Sequence, residues 1–182
     1  APRATLTELR ALIRDPTLRS VLQIAVLHGL AHATYDFLFS LHMERLGAPT
    51  WQTTAAFVAG LTVEVTLMAM APALLRRLGA TGMIRLAVFT AVPRFLLTGL
   101  ALPTALIAAV QALHGVSFGA FWLGAVALIA ARSPHSLRNS GQAALMAASA
   151  GVGPLCMMLA ATWLLRVITL PQLFLVAAGL SV

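Results

Sequence analysis

Residues 18–43 read LRSVLQIAVLHGLAHATYDFLFSLHM, a stretch in which Arg19 and Asp36 are the only charged residues apart from histidine. A helix needs about 20 mostly apolar residues, at ~1.5 Å each, to cross a hydrocarbon core. This stretch has that length and none of the alternation a membrane β-strand requires. Within it His28, His32 and Asp36 recur at i, i+4 and i+8. They form one stripe along a helix, with Tyr35 beside it. Ionisable side chains at that depth are costly and predict a polar neighbour or a wet cavity.

The same reading extends along the chain to residues 50–75, 81–102, 103–131, 137–165 and 170–182. The first five segments can each span a bilayer, whereas the last falls short of the ~20 residues required. Of 182 residues, 60% are hydrophobic and only 9% charged, with a mean hydropathy of +0.92. Soluble domains carry about 25% charged residues, so a water-soluble globular enzyme is excluded. The predicted fold class is an all-α membrane protein, a bundle of six transmembrane helices with the last one truncated. The chain starts at Ala1 with no initiator methionine and no signal-peptide pattern. It therefore reads as an excised piece of a longer membrane protein. Residues 1–17 are expected to be a cytoplasmic linker with a short amphipathic helix, Leu6, Leu9 and Ile13 lying opposite Arg10 and Arg14. Residues 18–182 form the bundle.

All twelve basic residues are arginine, which gives a net charge of +7. Arg3, Arg10, Arg14 and Arg19 precede the first span, Arg76, Arg77 and Arg85 lie between the second and third, and Arg132 and Arg138 between the fourth and fifth. Only Arg45 and Arg166 fall on the opposite side. The positive-inside rule makes the first side cytoplasmic and puts the N-terminus inside. The basic charge is thus a topology signal, and no nucleic-acid partner is implied.

Six ionisable groups lie inside spans: His28, His32, Asp36, Glu64, Arg94 and His114. A charged group at a helix centre costs about 2.5–3.5 kcal/mol on insertion scales. At ~1.5 Å per residue, His32, Glu64, Arg94 and His114 all fall roughly 15–20 Å from a membrane face, on four helices. A shared aqueous site near the midplane explains them together. Glu64 sits in Leu61-Thr62-Val63-Glu64-Val65-Thr66-Leu67, with no basic residue nearby in sequence. A carboxyl group there crosses the core most cheaply as the neutral acid, which reads as a proton carrier. An ion pair of Asp36 with Arg94 is the structural alternative for Asp36.

Gln23, Gln111 and Gln142 are expected to hydrogen-bond between helices, and Gly115 and Gly119 to pack as a GxxxG pair. Gly151, Gly153 and Pro154 predict a kink in the fifth span, with a hinge as the second reading. Trp51 and Trp163 read as interfacial anchors, and His42, Glu44 and Arg45 as a solvated outer loop end. Cys156 is the only cysteine, so no internal disulfide or cysteine metal site is possible. His32-xxx-Asp36 has metal-ligand spacing, but Ser117, not an acid, follows His114 by three residues. Two histidines on a haem would lie beside carboxylates and an arginine. No metal, haem or other cofactor is expected, and no hydrolytic Ser/His or paired-acid arrangement marks an enzyme.

In order along the chain, several stretches resemble the C-terminal half of a major facilitator superfamily transporter. They point to the branch that holds lactose permease and the phenylpropionate permease-like proteins. Ala71-Pro72-Ala73-Leu74-Leu75-Arg76-Arg77-Leu78-Gly79 is similar to the cytoplasmic loop after that family's eighth helix. Val92-Pro93-Arg94 resembles its ninth helix, and Leu113-His114-Gly115-Val116-Ser117-Phe118-Gly119-Ala120 its tenth. Val63-Glu64-Val65, Thr34-Tyr35-Asp36 and the Arg138-to-Gln142 stretch resemble steps on helices eight, seven and eleven.

The resemblance implies half of a twelve-helix fold with a 3+3 inverted repeat, working by alternating access. It implies proton-coupled symport of a small polar or anionic organic solute, with Glu64, Arg94 and His114 in proton coupling. The midplane arginine is what favours an anion. His32, Tyr35, Asp36 and Ser117 would line the substrate cavity. Ser117 stands where lactose permease has a glutamate, and no lysine exists to pair with Asp36. The expected partners are the solute, protons, the lipid bilayer and a missing N-terminal six-helix half. The expected place is the bacterial inner membrane. Alternatives are an efflux antiporter of the same superfamily, a divalent-metal transporter or a non-transporting membrane sensor.

Overall fold

In the computed structural model, residues 14–182 are described, and most of the amphipathic helix expected within residues 1–17 lies outside them. Six helical units follow: α1 (Pro16–Arg45), α2 (Thr50–Ala69), α3 (Ala71–Gly99), α4 (Thr104–Arg132), α5 (His135–Leu164) and α6 (Leu170–Leu180). Among the described residues there is no strand. Helices α1 to α5 are long and apolar enough to cross a membrane, and α6 is shorter. The protein is an all-α membrane bundle.

Local chemistry sets the helix ends. The Asp15 carboxylate accepts from the N–H groups of Thr17 and Leu18 at 2.8 and 3.0 Å, and Pro16 opens α1. Both are standard helix-start devices, since proline gives up an N–H that has no helical partner there. Hydropathy alone carries the second span to residue 75, but α2 stops at Ala69. Pro72 cannot donate to the carbonyl of residue 68 and its ring clashes there, so a new helix begins instead. Within α3, Gly79 adopts φ 67 and ψ 171, a conformation open to glycine. It separates a short arginine-bearing segment from the spanning part.

The interruption expected in the fifth span is a widened turn, not a break. Residues Ala147–Val152 form a π-helix directly before Gly153 and Pro154. A π-turn relaxes the clash a proline ring makes with the helix behind it.

Helix α2 packs on α4, α5 packs on α1, and α3 meets α6 between them; α3 also lies along α4, and α1 along α6. Exchanging α1–α3 with α4–α6 swaps α2–α4 with α5–α1 and α3–α4 with α6–α1 and carries α3–α6 onto itself, which is the symmetry of a 3+3 repeat. Glycines set the closest crossings. A Cβ on Gly115 would collide with the backbone of Gly60 and Glu64, and one on Gly29 with the carbonyl of Ser149. In lipid, such close backbone approach is a main source of helix association.

Two apolar clusters fill the bundle. One contains Leu18, Val21, Met83, Ile84, Phe121 and Ile129; the other contains Tyr35, Phe39, Met43, Phe95, Ile107 and Phe174. Between them runs a polar layer of residues 28–32 on α1 and 111–117 on α4, and the side chain of Arg94 on α3 reaches into it. Large apolar side chains cover the outer faces, Phe89 being 78% exposed, as a lipid-facing surface requires.

Candidate functional site

Arg94 occupies the centre of the polar layer and is completely buried. Its Nε–H donates to Gln111 Oε1 at 3.0 Å, and Nη1 donates to His32 Nε2 at 3.3 Å and to Ser117 Oγ at 3.4 Å. The guanidinium carbon lies 4.3 Å from the Tyr35 ring centroid and 4.5 Å from that of Phe95. A cation in so dry a place gains from these faces as well as from hydrogen bonds. Nη2 is buried without a partner.

Chemistry fixes the proton on His32. Its Nδ1 lies 3.1 Å from the His28 carbonyl, which can only accept, so Nδ1 carries the hydrogen. Nε2 is then the acceptor for the arginine. Ser117 Oγ–H donates to the His114 carbonyl at 3.1 Å, leaving its oxygen free to accept from Arg94. Gln111 Nε2 donates to Thr98 Oγ1 at 2.9 Å and to the Ile107 carbonyl at 3.0 Å, and Thr98 Oγ1 donates to the Arg94 carbonyl at 2.8 Å. The arginine is thereby held from α1, α3 and α4 at once.

Beside this network, α1, α4 and α5 enclose an open cleft of about 210 Å³. His28, His32, Asp36, Phe118, Trp122 and Ser149 are on its wall. The His28 ring is stacked between His32, at 3.9 Å, and Phe121, at 3.8 Å. His28 Nε2, His114 Nδ1, Tyr35 Oη and Trp122 Nε1 are all buried and unpartnered. Buried polar atoms are nearly always satisfied, so this concentration of orphans marks where water or a ligand is needed.

The residues singled out from sequence divide into two groups. Arg94, His32 and Ser117 are bonded together, and Tyr35 lies against the guanidinium. His114 joins them through its ring, 4.7 Å from Tyr35 and 5.7 Å from His32. The carboxylates stand apart. Asp36 is exposed at the cleft. Glu64 is half-buried on α2, close to Gly119 of α4. Among the described residues Arg94 makes no ion pair with either acid, because His32, Ser117, Gln111 and Tyr35 occupy its surroundings. Nor do three His, Cys, Asp or Glu side chains gather at metal-binding distance among those residues.

Gln111 joins helices, as its place in an apolar run suggests, but as the main partner of the arginine. Thr98 gives no signal in sequence. His42 corrects an expectation: it is buried, not solvated, and its Nε2–H donates to the Thr98 carbonyl at 3.0 Å. Its ring packs 4.9 Å from Phe174. A signal exists, since steps of four and three residues from His28 pass through His32, Tyr35 and Phe39 to His42.

The model of the MFS_1 like family matches residues 3–177 of this chain. No curated protein and no solved structure matches it.

Proposed function

The chain belongs to the MFS_1 like family, a family of membrane transporters, and from that premise we propose proton-coupled symport of a small polar organic solute. The carrying observation is the buried polar layer around Arg94, set between two apolar clusters and opening on a cleft. Polar groups at the middle of a transporter bundle are where solute and coupling ion are expected to bind.

In this reading Glu64 carries the proton. It is a carboxyl group with no bonded cation among the described residues, half-buried on the least enclosed of the spanning helices. Such a group can take up and release a proton without dismantling an ion pair. Arg94 supplies a fixed positive charge that orders His32 and Ser117, and His114 relays a proton or bonds the solute. His32, Tyr35, Asp36 and Ser117 form the solute side. The bundle rocks against a second six-helix half, exposing the cleft to each side of the bacterial inner membrane in turn.

The test uses the full-length transporter in proteoliposomes, with a solute first identified by its thermal stabilisation of the purified protein. Glu64→Gln should abolish uptake driven by a pH gradient and leave counterflow exchange intact. Undiminished driven uptake in Glu64→Gln would overturn the proton-carrier role.

A further inference from the structure

The charge that faces the cleft is not the charge buried behind it. Arg94 does not line the cleft, because His32 stands between, its Nε2 accepting from the guanidinium. The charged side chain on the wall is Asp36. Aromatic rings line the same cleft, Phe118 lying 6.1 Å from Trp122 and 5.9 Å from His28, centroid to centroid.

Helix α5 closes the third side of the cleft. Across its π-turn the Gly153 N–H donates to the Ala148 carbonyl. The next carbonyl, that of Ser149, would need the N–H of residue 154, which is proline and has none. That carbonyl faces Gly29, where a side chain would collide with it. Ser149, Pro154 and Gly29 all line the cleft. The Ser149 carbonyl is turned against α1 and not into the cleft; the carboxylate and the aromatic faces are what suit a cation carrying N–H groups. The orphaned Trp122 Nε1–H can only donate, so the same ligand should also offer an oxygen.

We infer that the cleft between α1, α4 and α5 binds a small organic ammonium that bears an oxygen acceptor. Asp36 is its ion partner, Phe118 and Trp122 are its walls, and Trp122 Nε1–H donates to its oxygen. The cleft, at about 210 Å³, is smaller than the ~300–1,000 Å³ usual for drug-sized ligands, so the solute is small. This assignment rests on the transporter reading and narrows its polar solute to a cation. It also sets aside the preference for an anion that a midplane arginine suggests in the sequence.

The experiment measures equilibrium binding of tyramine, tyrosol and 4-hydroxyphenylacetate to the full-length transporter in nanodiscs. These probes share a ring, a phenol oxygen and a chain length, and end in a cation, a neutral group and an anion. Tyramine should bind at least about tenfold tighter than the anion, and Asp36→Asn should erase that preference. Asp36→Glu should keep it, and Trp122→Phe should weaken tyramine several-fold. Anion binding equal to or tighter than tyramine binding overturns the inference. So does a preference that survives Asp36→Asn, or a folded protein that binds none of the three. No gradient enters this assay. Retained tyramine binding with no pH-driven uptake would therefore sink proton coupling alone and leave the cleft assignment standing.

Discussion

A guanidinium enclosed in an apolar bundle needs its charge spread over hydrogen-bonding neighbours, and Arg94 spreads it over neutral ones. Gln111 is the best placed of these, with a 3.0 Å bond to Nε and a second amide hydrogen on Thr98. Gln111→Leu should therefore cost about 1.5–3 kcal/mol, the range for a hydrogen bond to a charged group. The measurement is a lowered thermal or denaturant midpoint of the purified protein. Ser117→Ala should cost less, because its oxygen accepts from Arg94 at 3.4 Å, the long end for a hydrogen bond. Arg94 and His32 are legible in sequence because an ionisable group stands out in an apolar run. The partners of Gln111, Thr98 and His42 are not. Neutral polar residues are common in spans, and His42 finds its partner 56 positions away.

At the scale of helices, glycine decides how closely the elements approach. Gly29 lies at the crossing of α1 on α5, where a Cβ would strike the Ser149 carbonyl, and Gly153 makes the reciprocal contact with the backbone of residues 26 and 29. Gly29→Ala should destabilise the bundle by about 1–3 kcal/mol, as overpacking does. At Gly151, two residues before Gly153, a Cβ would meet nothing within 4 Å. Gly151→Ala should be neutral or stabilise by up to about 1 kcal/mol through the better helix former. Equal losses in both variants, read from thermal midpoints in the same detergent, would contradict a crossing set by Gly29. The sequence points to an interruption near Gly151–Pro154. That it takes the form of a π-turn against Gly29 depends on α1 being there to receive the displaced carbonyl.

For the molecule as a whole, the arginine distribution makes a claim about sidedness that labelling can check. On a Cys156→Ser background, Arg77→Cys and Arg132→Cys should react with a membrane-impermeant maleimide only after the cytoplasmic side is exposed. Glu44→Cys and Arg166→Cys should react from outside in intact cells. All four positions are exposed in the structure. The reverse pattern would invert the topology. Length, hydropathy and charge placement determined the helical class, the number of helices, the short sixth helix and the expected orientation. These follow from the bilayer acting on each segment separately, so a local reading suffices. Helical periodicity likewise put His28, His32 and Asp36 on one stripe. Periodicity names a face but not what faces it. Only the packing of α1 against α3 and α4 decided that Arg94 meets His32, 62 residues earlier, and leaves both carboxylates outside its contacts. Tertiary structure alone could decide which charge meets the cleft, because that depends on His32 screening a neighbour from another helix.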